Sequence, residues 1–176
     1  CPAVSLYVTF DEATLAVTAT ETKLEVVPIA ANLRHDQLDS VITEATLTGT
    51  AWNSSSATIT ALPFDLDGAP YTFSAAELER IQGIWQRVAE DYAPFDVNVT
   101  TEAVAPELLT RASNSDELYG TTVLITSSSG VYSCSCGGVA YLGVFDSVGD
   151  YYKPALVFYD ALGPGNERYI AEAISH

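Results

Sequence analysis

The period of apolar and polar positions changes several times along the chain, and each change predicts an element. "SLYVTF", "LAVTAT" and "KLEVVP" alternate or run apolar with β-branched residues and read as strands. In "LRHDQLDSVITEA", Leu38, Val41, Ile42 and Ala45 recur three or four apart, which predicts a short amphipathic helix. "GTAWNSSSATITALPFDLDGAP" is rich in Gly, Ser, Asn, Asp and Pro and reads as loop with at most one strand.

The clearest element is "TFSAAELERIQGIWQRVAEDYAPF". Ser74 and Glu77 stand at capping-box spacing, where each side chain satisfies a helix-start donor of the other. Leu78, Ile81, Trp85, Val88 and Tyr92 mark one face, and Pro94 stops the helix. "FDVNVTT" alternates Phe95, Val97 and Val99 as a strand, and "PELLTRA" is a short helix. "TTVLIT", "GGVAYLGVF" and "PALVFYD" are three further strands. Last comes "NERYIAEAISH", where Asn166 caps a helix with apolar Ile170, Ala173 and Ile174. No Gly or Pro ends this pattern before His176, so the sequence is expected to stop partway through an element.

Helices interleaved with apolar strands predict an α/β sandwich on a twisted mixed sheet with flanking helices. "GGVAYLGVF" is flanked by glycine and closely follows another strand. It fits an antiparallel edge strand, where a peptide could add as a further strand, and equally an ordinary core strand.

Composition narrows the function. Of 176 residues, 48% are hydrophobic and 17% charged, which suits a packed domain and argues against disorder. The apolar runs are far shorter than a membrane span, and no leader is visible. Seven Lys plus Arg face 23 Asp plus Glu, a formal charge of −16. Such a surface repels polyanions, which excludes nucleic acid as a natural partner; it suits secretion, high salt, bound calcium or simple solubility. Cys1, Cys134 and Cys136 give no readable disulfide framework, since one internal pair is tight and any Cys1 bridge leaves a thiol over. An N-terminal cysteine leaves a lipid anchor through Cys1 open. Asn53-Ser-Ser and Asn98-Val-Thr fit the glycosylation pattern, a short one that also arises by chance.

Candidate chemistry is sparse. His35, between Arg34 and Asp36, reads as a solvated surface histidine. "DLDG", Asp65 to Gly68, resembles the start of a calcium loop, but the glycine comes too early and Ala76 stands where a closing Glu belongs. It reads as an Asp-rich turn, and Asp146 and Asp150 read as loop residues. No phosphate loop or nucleophile elbow is present, and two histidines with scattered carboxylates form no ligand-spaced pair.

From about Gly49 onward the chain resembles secreted bacterial zinc metalloproteases of the metzincin clan, in the reprolysin-like branch. The stretches that carry the resemblance are "GTAWNSSS", "PFDLDGAPYTFSAAELERIQGIWQRVAEDYAPFDVNVTTE", "GGVAYLGVF" and "PALVFYDALGPGNERYIAEAISH". The resemblance implies a metzincin-like upstream part of a catalytic domain over residues 49–176. Residues 1–48 would then supply a first strand or remain from a propeptide.

In that family the helix holding "AEAISH" continues into H-E-x-x-H-x-x-G-x-x-H, so His176 matches the first zinc ligand. Three histidines hold the metal and the glutamate is general base for the zinc-activated water that attacks the peptide bond. "GGVAYLGVF" matches the edge strand that holds substrate, which makes Gly138, Val139, Ala140, Tyr141, Leu142, Gly143 and Val144 substrate-binding. Glutamate, second histidine and third histidine lie outside these residues, so no catalytic residue is within the chain. It is expected to be inactive alone, with the downstream part of the domain and a peptide or protein substrate as partners. The other expectation is a non-catalytic binding or self-assembling protein derived from the same fold. If part of the domain is missing, the apolar side of "YIAEAIS" is expected to be exposed.

Overall fold

The computed structural model describes residues 4–9, 45–53, 58–101 and 105–176. The strands expected in "LAVTAT" and "KLEVVP", His35, Cys1 and most of the first expected helix lie outside these residues.

Among the described residues seven strands and three α-helices follow in order: β1 (Val4–Thr9), β2 (Ala45–Leu47), β3 (Ile59–Ala61), α1 (Ala75–Tyr92), β4 (Val97–Thr100), α2 (Pro106–Leu109), β5 (Tyr119–Thr126), β6 (Gly138–Val139), β7 (Ala155–Phe158) and α3 (Glu167–Ser175). Ala45 was expected on a helix face but opens β2, where it pairs with Ala61 of β3. Its helical spacing to Leu38 is overridden by burial against a sheet.

Five strands form one sheet in the order β4-β1-β5-β7-β6. β1 pairs parallel with β4 and with β5, and β5 pairs parallel with β7. β6 joins β7 antiparallel and closes the edge. The chain is therefore α/β with a mixed sheet, as the alternation of helices and strands implied.

Period-two alternation divides the sheet into two packed faces. Val123 and Ile125 of β5 and Val157 of β7 face a cluster with Ile84, Trp85 and Val88 of α1 and Ile170 and Ile174 of α3. Leu124, Leu156 and Phe158 point the other way, onto Ala45 and Leu47 of β2 and Ala61 of β3. β5 and β7 are thus covered on both sides, which is why they read as continuous apolar runs.

α1 starts where the capping box placed it. Ser74 Oγ accepts the Glu77 backbone N–H at 3.3 Å, and Glu77 Oε2 accepts the Ser74 backbone N–H at 2.8 Å. Trp85 and Val88 are buried, with Ile81 and Tyr92 packed beside them. Trp85 Nε1 donates to the Val99 carbonyl at 2.9 Å, so the buried indole keeps a partner. Leu78 is only half-buried, because the buried stripe runs through Glu77, Ile81, Ile84 and Val88 and is centred to one side of it. Phe95 is a second correction: it precedes β4, is 64% exposed and rests near the Tyr92 ring.

α3 is capped by Asn166, whose Oδ1 accepts the N–H groups of Arg168 and Tyr169. Ile170, Ala171 and Ile174 are buried in the α1 cluster. The apolar face expected to lie open is therefore covered by α1 and the sheet. The Glu167 carboxylate lies over Gly83, where a Cβ would stand 2.3 Å from its Oε2. Arg87 pairs with Glu167 at 2.9 Å, and Arg80 donates to the Gly165 carbonyl at 2.8 Å, which ties the two helices at their polar rim. Among the described residues no helix is long and apolar enough to cross a membrane.

Candidate functional site

The strand expected over 137–145 pairs only at Gly138 and Val139. Phe158 N–H donates to the Gly137 carbonyl at 2.8 Å, which extends the contact with β7 by one bond. Beyond Val139 the chain leaves the sheet. Tyr141 turns so that its hydroxyl donates to the Ala51 carbonyl at 3.2 Å, and Gly143 adopts a φ of +68° in a turn. Ala140, Tyr141, Leu142 and Gly143 are exposed and Val144 is half-buried. Among the described residues no strand pairs with the outer side of β6.

Two glycines shape this edge. A Cβ on Gly138 would meet the Leu156 carbonyl oxygen at 2.7 Å, so this glycine allows β6 to close on β7. Gly143 has open space around it and serves the positive φ of its turn. Valine at Gly138 would therefore disturb the packing of β6 on β7.

The inner side of this edge is anchored. Val139 packs with Cys134 and Cys136 against the Leu156 and Phe158 cluster. Cys134 and Cys136 form a disulfide, the tight internal pairing that their spacing left open. Asp160 accepts both the backbone N–H and the hydroxyl of Ser128, fixing the serine-rich loop after β5.

His176 is exposed at the C-terminal end of α3, where its N–H donates to the Glu172 carbonyl. Among the described residues one group of carboxylates could hold a metal: Asp65, Asp67 and Glu77, with oxygens within 4.8 Å of one another. Their oxygens already serve the backbone. Asp65 Oδ1 accepts from Asp67, Gly68 and Ala69 at 3.1, 2.7 and 3.1 Å. Glu77, 1% exposed, accepts from Leu66 N–H at 2.7 Å and from the Ser74 hydroxyl at 2.7 Å. The Asp-rich turn reading accounts for these bonds. An all-carboxylate set is hard-oxygen chemistry unlike a zinc protease centre, and His176 is one ligand of such a centre, so the described residues do not by themselves hold zinc.

What the sequence did not signal is a row of rings beside β6. Tyr132, Trp52, Tyr141, Tyr152 and Tyr151 touch in succession, with centroids 5.7, 4.6, 5.1 and 5.0 Å apart. Trp52 Nε1 donates to the Pro154 carbonyl at 2.8 Å and Ala51 N–H to the Tyr151 carbonyl at 2.6 Å, so the row has a fixed backing. Its only trace in the sequence is the surplus of tyrosine in loops.

Two tyrosine hydroxyls titrate above the usual tyrosine value: Tyr159 and Tyr92, each first through burial and then through a neighbouring carboxylate, Asp65 and Asp91 respectively. The Asp116 carboxyl is held below the usual range by the N–H groups of Ala112 and Leu118. None of the three adjoins β6.

Comparison of the chain with protein-family models, curated proteins and solved structures finds no match in any of the three.

Proposed function

We propose that these residues are the upstream part of a secreted, extracellular zinc-dependent metalloendopeptidase of the reprolysin-like metzincins. In this reading β6 and the residues after it, Gly138 to Val144, receive the substrate backbone, and α3 carries the first metal ligand, His176. The observation that supports it is the place of β6: a short antiparallel edge on an otherwise parallel sheet, with no strand paired to its outer side among the described residues. Substrate would add there as a further antiparallel strand, held by backbone hydrogen bonds. In this reading a general-base glutamate and two further histidines would act together with His176.

A second reading, a non-catalytic binding module on the same fold, is favoured by α3, whose apolar face is already covered. One experiment separates the two. The chain is produced with an H-E-x-x-H-x-x-G-x-x-H continuation of α3 and assayed for bound zinc and for cleavage of unfolded protein. One zinc per chain with chelator-sensitive cleavage is expected. A folded extended chain without zinc or cleavage overturns the protease reading and leaves the module.

A further inference from the structure

We propose that the row of rings beside β6 is a docking surface for an extended, basic polypeptide, one that presents lysine or arginine to the tyrosine faces. The inference deepens the edge-strand reading by naming the class of polypeptide that the edge receives.

Position comes first. Tyr141 lies two residues past β6, and the row runs from there through Tyr152 to Tyr151 on one side and Trp52 to Tyr132 on the other. Tyr141 ties the row to the residues that follow β6, the edge strand of the sheet. Tyr151 is 58% exposed and Leu142, at the turn beside them, 93% exposed, so the surface is open to solvent.

Charge decides the occupant. The chain carries −16, and its nearby cations are already committed. Lys153 Nζ bonds Asp150 at 3.1 Å and the Leu109 carbonyl at 2.5 Å. Arg111 donates to the carbonyls of Asp146, Asn114 and Asp116 and lies over the Tyr119 ring, 4.9 Å from its centroid. Electron-rich ring faces on a chain of net negative charge favour a cation, arginine above all, because its guanidinium stacks on aromatic rings. The negative field of the whole chain steers the same partner in and turns acidic ones away.

The test needs no catalysis. Two labelled peptides, alternating Arg-Val and its Gln-Val counterpart, are titrated against the 176-residue chain by fluorescence anisotropy. The Arg peptide is expected to bind about tenfold tighter and to weaken as salt rises. Tyr151→Leu, which keeps apolar area but loses the π face, is expected to weaken it about threefold, and Tyr152→Leu by a similar factor. Circular dichroism checks that both variants fold. Equal binding of the two peptides, no loss in either folded variant, or self-association in place of peptide binding overturns the proposal. Failure of the protease reading looks different: the extended chain takes up no zinc while the Arg peptide still binds.

Discussion

α1 and the segment after β6 are both rich in apolar side chains, yet the fold treats them oppositely. In α1 the apolar residues recur at helical spacing, so one face collects Ile84, Trp85 and Val88 and the sheet buries them. Between residues 140 and 152 the apolar residues have no common period, and Tyr141, Leu142, Phe145, Val148 and Tyr151 stay exposed. Apolar content is similar, but only a periodic arrangement can be buried by one packed layer. What remains outside must be stitched by individual bonds, as Tyr141 is to Ala51. A surface built this way is available to a partner.

The contrast is sharpest in Phe158 against Leu142. Phe158 is fully buried and Leu142 is 93% exposed. Phe158→Ala is expected to cost about 3–5 kcal/mol of stability through the cavity it leaves. Leu142→Ala should stay within about 0.5 kcal/mol, as surface changes do. Urea unfolding of both variants tests the pair, and comparable losses would mean that the 140–152 segment is core after all.

Glu77→Gln probes the start of α1. The carboxylate accepts from Leu66 and from both donors of Ser74, and an amide would turn one acceptor into a donor facing a donor. A loss of about 1–3 kcal/mol is expected, since buried N–H groups would be left unmatched. Urea unfolding that leaves the midpoint unchanged would show that water replaces those bonds.

The two glycines of the edge separate packing from backbone strain. Gly138→Val forces the Leu156 carbonyl to move and is expected to cost about 1–3 kcal/mol. Gly143→Ala meets no atom, but its φ of +68° costs an L-residue about 1–2 kcal/mol. Thermal melts of each, with the basic-peptide titration alongside, show whether binding falls only as far as folding does.

The smallest effects are in pH. The depressed carboxyl of Asp116 contributes stability that is present above its unfolded value near ~3.9 and lost as pH falls through its folded value. Asp116→Asn should therefore flatten the acid end of the stability profile. The raised hydroxyls of Tyr92 and Tyr159 act at the other end. Their contribution is full below the ordinary tyrosine value of ~10 and lost as pH rises through the folded values. Ultraviolet titration of tyrosinate should show two late-ionising groups, and Tyr159→Phe should remove one.

Local chemistry by itself determined a good part of this protein. The capping box of Ser74 and Glu77, the stripe of α1, the Asn166 cap and the apolar runs of β5 and β7 are all set within a few residues of one another. Neighbouring residues need no tertiary partner to be compared, so a period or a cap is legible in the sequence. The rest depended on meetings across the chain. Ala45 left its helical spacing because β3 offered a partner, and "GGVAYLGVF" shrank to two paired residues because Gly143 turns and Tyr141 reaches Ala51. Glu77 gained a second task at Leu66, eleven residues before it, that its cap spacing did not reveal. The row of rings joins Trp52 to Tyr141 across about ninety positions, and only the folded chain could place them side by side. Contacts that distant cost chain entropy before they return any stabilisation, so the packed core and not the local sequence selects them.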